Sequence, residues 1–163
     1  AVEKLGDHTP AGILRGGKYS LFEAGTRVPF ISYWKGVIKP KISNKLISQI
    51  DIFSSLSSII NSNLHTKDSK DLSQLLLTGA GGERDKLILE AFGKTALKYG
   101  DWVLIPPYKG SPVSKYTNVE LGNSDNYQLY NLKDDPGQRI NLVNQEKEKF
   151  LELKEIYSES INN

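Results

Sequence analysis

The sequence predicts an α+β fold in two parts, and three observations carry that prediction. Apolar residues recur at helical spacing between Asn44 and Ile60, short apolar segments separated by turn residues run from Leu87 to Leu132, and a second helical pattern closes the chain. With 163 residues, 38% hydrophobic and 25% charged, the chain has the size and composition of one ordinary domain able to bury a core.

The elements follow in order. Val28 to Trp34 (VPFISYW) is an apolar and aromatic run of strand length with Pro29 at its entrance, where a missing N–H costs least, and it reads as a mostly buried strand. Leu46, Ile47, Ile50, Phe53, Leu56, Ile59 and Ile60 define one apolar helical face, with Asn44 as its expected N-cap. Asn61 to Asp71 and Gly79 to Arg84 are polar or glycine-rich and read as loops. Residues 87–106 read as consecutive short strands, with Tyr99-Gly100-Asp101 as a hairpin turn before Trp102, which is expected to be buried against the last helix. Residues 107–126 form a loop, Tyr127 to Leu132 one more strand, and Asp134 to Gly137 (DDPG) a tight turn. Asn144 is the expected cap of a final helix that carries Phe150, Leu153, Ile156 and Tyr157 on one side.

Charge and composition exclude several functions. The net charge is +2, from 21 basic and 19 acidic residues without long basic runs, so neither nucleic acid nor a membrane is an expected partner through bulk charge. No apolar run approaches the roughly 20 residues that span a bilayer. Cysteine is absent, which removes disulfides, thiolate nucleophiles and cysteine metal ligands. Methionine is absent too, and the opening AVEKLGDHTP reads as the middle of a longer chain.

Gly12 to Ser20 (GILRGGKYS) concentrates the chemistry: three glycines surround Arg15 and Lys18, so backbone can approach an anion closely while two cations point at it. The stretch fits the nucleotide-binding pattern GxxxxGK only as far as the lysine. Tyr19 stands where a magnesium-holding Ser or Thr is required, and no hydrophobic strand precedes, so that reading fails. A glycine-rich surface turn with solvated cations remains open on these residues alone.

The wider string DHTPAGILRGGKYSLFEAGTRVPFISYWKGVIKP resembles the sulfatase family, in its arylsulfatase A-like bacterial members. There G-x-L-R-G-G-K, E-x-G-x-R-V-P and an apolar strand ending in W-x-G recur in that order. The helix containing Gln49-Ile-Asp51-Ile-Phe53, then ALKYGDWVLI, then QLYNLKDDPGQRINL resemble three later blocks, so four blocks cover most of the chain. The resemblance implies that Lys18 contacts the sulfate group as the catalytic cation, that His8 and Arg15 border the substrate, and that Glu23 and Arg27 form an ion pair or anchor behind the turn. His65 is expected to be solvated. It also implies a fold: residues 1–66 as the end of a large α/β, alkaline-phosphatase-like catalytic domain, and residues 67–163 as a small antiparallel sheet with a terminal helix.

The family's nucleophile is a formylglycine made from a C/S-x-P-x-R motif, working beside a bound Ca²⁺. Neither is expected in this chain: cysteine is absent, and no serine stands two residues before any of the seven prolines. A Ca²⁺ site needs about six to eight oxygen ligands from converging segments, and no metal-ligand motif is present. The resemblance therefore implies the C-terminal portion of a sulfate-ester hydrolase, inactive alone, whose partners are a sulfated small molecule or glycan and the rest of the parent chain, exported to the periplasm or beyond. The rival expectation is a noncatalytic module that binds sulfated or anionic glycans.

Overall fold

The computed structural model describes residues 10–62 and 64–162. Its elements are α1 (Glu23–Thr26), α2 (Asp51–Ile59), α3 (Ser73–Thr78), β1 (Lys86–Ala91), β2 (Lys94–Tyr99), β3 (Trp102–Ile105), β4 (Gln128–Asn131) and α4 (Lys147–Asn162). They form two compact units. One holds the residues up to Val28 together with Lys86 onward; the other is Pro29–Asp85. The expected division runs between residues 66 and 67, whereas here the segment after the glycine-rich turn packs with the sheet, Leu21 and Phe22 joining its core.

In the first unit the strands form an antiparallel meander in the order β1-β2-β3-β4. The connections explain the register. Phe92 and Gly93, both at positive φ (53° and 68°), make the two-residue turn between Ala91 and its partner Lys94. Gly100 (φ 54°) opens the turn between Tyr99 and Trp102, where the sequence predicts a hairpin.

Alternation along the strands then loads both faces. Ala96, Val103, Ile105 and Tyr130 meet Leu21 and Phe22 on one face. Leu97, Leu104 and Leu129, aligned across three strands, meet Leu153 and Tyr157 of α4 on the other. The terminal helix presents the predicted side to the sheet, although it begins at Lys147 rather than directly after Asn144. Its Tyr157 hydroxyl lies 2.7 Å from Thr95 Oγ1, which ties the helix to β2.

Trp102 departs from expectation. It belongs to the α4-facing cluster but is only half-buried, because β3 begins at the turn and the ring lies at the sheet's end. Trp102→Ala is accordingly expected to cost less than the roughly 3–5 kcal/mol of a fully buried aromatic truncation. Leu104→Ala, at a position with no exposed surface, serves as the comparison in urea denaturation. A larger loss for Trp102→Ala would show the ring is a core residue after all.

The second unit corrects two expectations. Val28 to Trp34 forms no strand and is exposed throughout, with Ile31 at 88% and Tyr33 at 81%. A strand needs a backbone-paired neighbouring strand, and among the described residues none pairs with this run. The helix expected from Asn44 begins only at Asp51, and its apolar face is turned outward: Phe53, Leu56 and Ile60 are exposed, whereas Asp51, Ser54, Ser55 and Ser57 are buried.

Hydrogen bonds explain the inversion. The Ser55 hydroxyl donates to the Asp51 carbonyl and accepts from the Leu72 amide, and Ser54 donates twice to Ser69, from its amide to the hydroxyl and from its hydroxyl to the carbonyl. The Asp51 carboxylate accepts from the Ser48 and Lys70 amides at 2.9 Å each, and from Arg84 Nε and Nη2 at 2.6–2.9 Å. A buried polar face is stable when each group on it is paired in this way.

Candidate anion-contact turn

The turn bearing Lys18 is built from backbone first. Ser20 N–H donates to Gly17 C=O at 2.9 Å, so Lys18 and Tyr19 occupy the two corner positions of a four-residue turn. Tyr19 has φ 76°, the conformation of the third position in a type II turn, where glycine is the usual residue. Gly16 (φ 86°) lets the chain enter, since a Cβ there would stand 2.4 Å from Ser20 Oγ.

Gly25 closes the turn from the other side. A Cβ at Gly25 would stand 2.2 Å from the Ser20 carbonyl oxygen and 2.6 Å from that of Gly17, both backbone atoms that cannot swing aside. Gly25→Ala is therefore expected to destabilise the protein by about 1–3 kcal/mol or more. Thermal denaturation checks this, and an unchanged midpoint would show that the turn yields instead.

Around the turn, most cations are neutralised. Arg15 donates to both carboxylate oxygens of Glu120 (3.0 and 2.6 Å) and to the Gln138 carbonyl (2.8 Å), and its guanidinium lies 4.1 Å from the Phe22 ring centroid. The bond to Arg15 holds the Glu120 carboxyl below the usual range, and the same bond raises Arg15. Arg15, expected to border the substrate, is bonded in the described geometry to a carboxylate and a backbone carbonyl.

Glu23, buried, lies 3.6 Å from Arg27 and 3.6 Å from Lys98, so an ion pair with Arg27 is present and extended by a lysine. Burial pushes the Lys98 amine down, and the Glu23 charge opposes that shift. Gln138, fully buried at φ 50°, accepts from the Glu23 amide at 2.7 Å through its side chain.

Lys18 differs from these cations. It is exposed, its Nζ lies 4.9 Å from the Tyr19 ring centroid, and no carboxylate among the described residues pairs with it. His8 lies outside the described residues, and His65 is exposed.

Glu120, Gln138 and Lys98 were not among the candidates from sequence. For Lys98 a signal exists: in KTALKY it shares the strand side of the buried Ala96. Glu120 and Gln138 stand in loop and turn, where no periodicity marks them.

Residues 4–62 match the family model described as Sulfatase. The chain is 39% identical over 160 residues to an N-acetylgalactosamine-6-O-sulfatase of Bacteroides thetaiotaomicron, an alignment covering 96% of this chain and 31% of that protein. The chain belongs to the sulfatase family.

Human arylsulfatase A is also similar, 30% identical over 148 residues, with 82% of this chain and 29% of that sulfatase covered. A solved structure from work on the metabolism of multiple glycosaminoglycans by Bacteroides thetaiotaomicron matches 99% of this chain and 34% of its own, with TM-score 0.91 and 37% identity. A sulfatase from Pseudoalteromonas sp. shares the fold at TM-score 0.71 and 20% identity. The chain thus has the sulfatase fold, and it spans about a third of the length of these two curated sulfatases.

Among the described residues no three His, Cys, Asp or Glu side chains come together as a metal site, and the buried Asp51 carboxylate is spent on Arg84 and two amides. These residues do not fit a Ca²⁺ site, and cysteine is absent from the sequence.

Proposed function

We propose that this chain supplies the sulfate-contacting wall of a sulfate-ester hydrolase, with Lys18 as the cation that meets the sulfate. The observation that carries this reading is the contrast between Lys18 and its neighbours. Arg15 and Arg27 are paired with carboxylates, while Lys18 stands exposed at the corner of a turn braced on both sides.

An ammonium carried on such a turn stabilises negative charge on sulfate oxygens where it develops. The Tyr19 ring beneath it restricts where the flexible stem can carry the charge. Glu120 pairs with Arg15, and Glu23 is shared between Arg27 and Lys98, so each of these cations has a carboxylate partner that Lys18 does not have among the described residues. Nucleophile and metal belong, in this proposal, to parts of a longer protein outside these residues.

For substrate we propose a 6-O-sulfated amino sugar, supported by the similarity to the N-acetylgalactosamine-6-O-sulfatase. The test is release of inorganic sulfate from N-acetylgalactosamine 6-sulfate by the full-length protein that contains this chain. Sulfate release supports hydrolysis. Binding of the sugar without release would favour the noncatalytic glycan-binding module.

A further inference from the structure

Two turns of the first unit each carry a large aromatic residue in a conformation that glycine or asparagine ordinarily takes. Tyr19, at φ 76°, holds the third position of the turn from Gly17 to Ser20. Phe92, at φ 53°, holds the first central position of the β1–β2 hairpin, followed by Gly93 at φ 68°. A bulky side chain at positive φ is strained, so each position forgoes stability that a smaller residue would give.

The two rings meet. Their centroids are 4.6 Å apart at 41°, yet neither is buried: Tyr19 is 48% exposed and Phe92 73%. Packing within the unit therefore does not account for them. Strained aromatic residues left on a surface, in contact with each other and, through Tyr19, with a cation that no carboxylate among the described residues pairs with, have the character of a ligand shelf. Lys18 Nζ, 4.9 Å from the Tyr19 centroid, extends the row to three: Phe92, Tyr19, Lys18.

We propose that Tyr19 and Phe92 form an aromatic shelf that takes the C–H face of the pyranose ring whose sulfate ester meets Lys18. This inference rests on the function proposed above. The chemistry suits such a ligand, because one face of a pyranose presents C–H groups that pack on aromatic rings, while its charged substituent requires a cation beside the shelf. The shelf would set preference for sugar esters over sulfate esters lacking a ring, and would act mainly through binding rather than through the bond-breaking step.

Strain makes the test sharp. Phe92→Asn gives the hairpin the asparagine–glycine pair that two-residue turns of this kind favour, so the thermal midpoint is expected to rise. In the full-length protein the same variant is expected to raise KM for N-acetylgalactosamine 6-sulfate about tenfold, leaving kcat within about threefold. Phe92→Tyr, which keeps the ring, is expected to restore KM.

A KM unchanged in Phe92→Asn, with wild-type turnover intact, overturns the shelf and leaves the proposed function standing. A lowered midpoint accompanied by loss of kcat overturns it too, marking Phe92 as a packing contact with the rest of the protein. If the wild-type protein releases no sulfate from this sugar, the proposed function fails and the shelf with it.

Discussion

Lys18→Ala in the full-length protein is expected to lower kcat/KM for a sulfate ester by about 10²–10³, the scale of losing one preorganised electrostatic contact. The side chain is exposed and has no carboxylate partner among the described residues, so its removal is not expected to lower the thermal midpoint. That separates a chemical effect from a folding one. Lys18→Arg is expected to recover only part of the loss. A planar guanidinium is wider than an ammonium, and the turn beneath is closed by Gly16 and Gly25, whose surroundings leave no room for displacement. Steady-state kinetics on protein of confirmed folding decide the matter. Alanine activity within about threefold of wild type would refute the role and leave a braced surface turn with a solvated lysine.

The contrast between Lys18 and its supports also shows what a sequence can disclose. The four-stranded meander was legible, because alternation along β2 and β3 and the glycines of the turns are local signals. Helix α2 was legible as a helix but not in extent or orientation. Its serines face inward, and only the bonds to Ser69, Leu72 and the chain around Asp51 show why a polar side is the buried one. The exposed run from Val28 to Trp34 has strand chemistry without a strand, since pairing depends on a neighbour that composition cannot reveal.

At the turn, the motif drew attention to Lys18 and Arg15, but their difference was invisible. Arg15 is neutralised by Glu120, 105 residues away, and held by the carbonyl of Gln138, 123 residues away. Separation of that length leaves no trace in spacing. The half-buried Lys98 carried a weak trace, a charged residue on the inward side of an apolar strand, and the strain at Tyr19 and Phe92 carried none, because φ is not written in residue type.

The largest stability loss is expected at Asp51. Its carboxylate has no exposed surface and pairs with Arg84, whose Nη2 also donates to the Asp68 carbonyl. Asp51→Ala leaves the guanidinium and the amides of Ser48 and Lys70 without their acceptor, and is expected to cost about 3–5 kcal/mol. Replacing both partners, as Asp51→Leu with Arg84→Met, is expected to cost less than either single change, because no buried charge is then stranded.

Acidity supplies an independent check. Burial pushes the Asp51 carboxyl up, but the Arg84 guanidinium and the two amides outweigh it and hold the group below the usual carboxylate range. A folded-state value below the unfolded one, which is about 3.9, means that the stabilisation is fully present above that pH and fades as pH falls through the folded value. Urea midpoints of the wild type should thus be insensitive to this group between neutral pH and about pH 5, then drop below about pH 4. In Asp51→Asn that acid-side drop should shrink, since an amide does not titrate. An acid limb of the same depth in both proteins, or a loss under about 1 kcal/mol for Asp51→Ala, would show that the pair is not what holds α2 to the residues before α3.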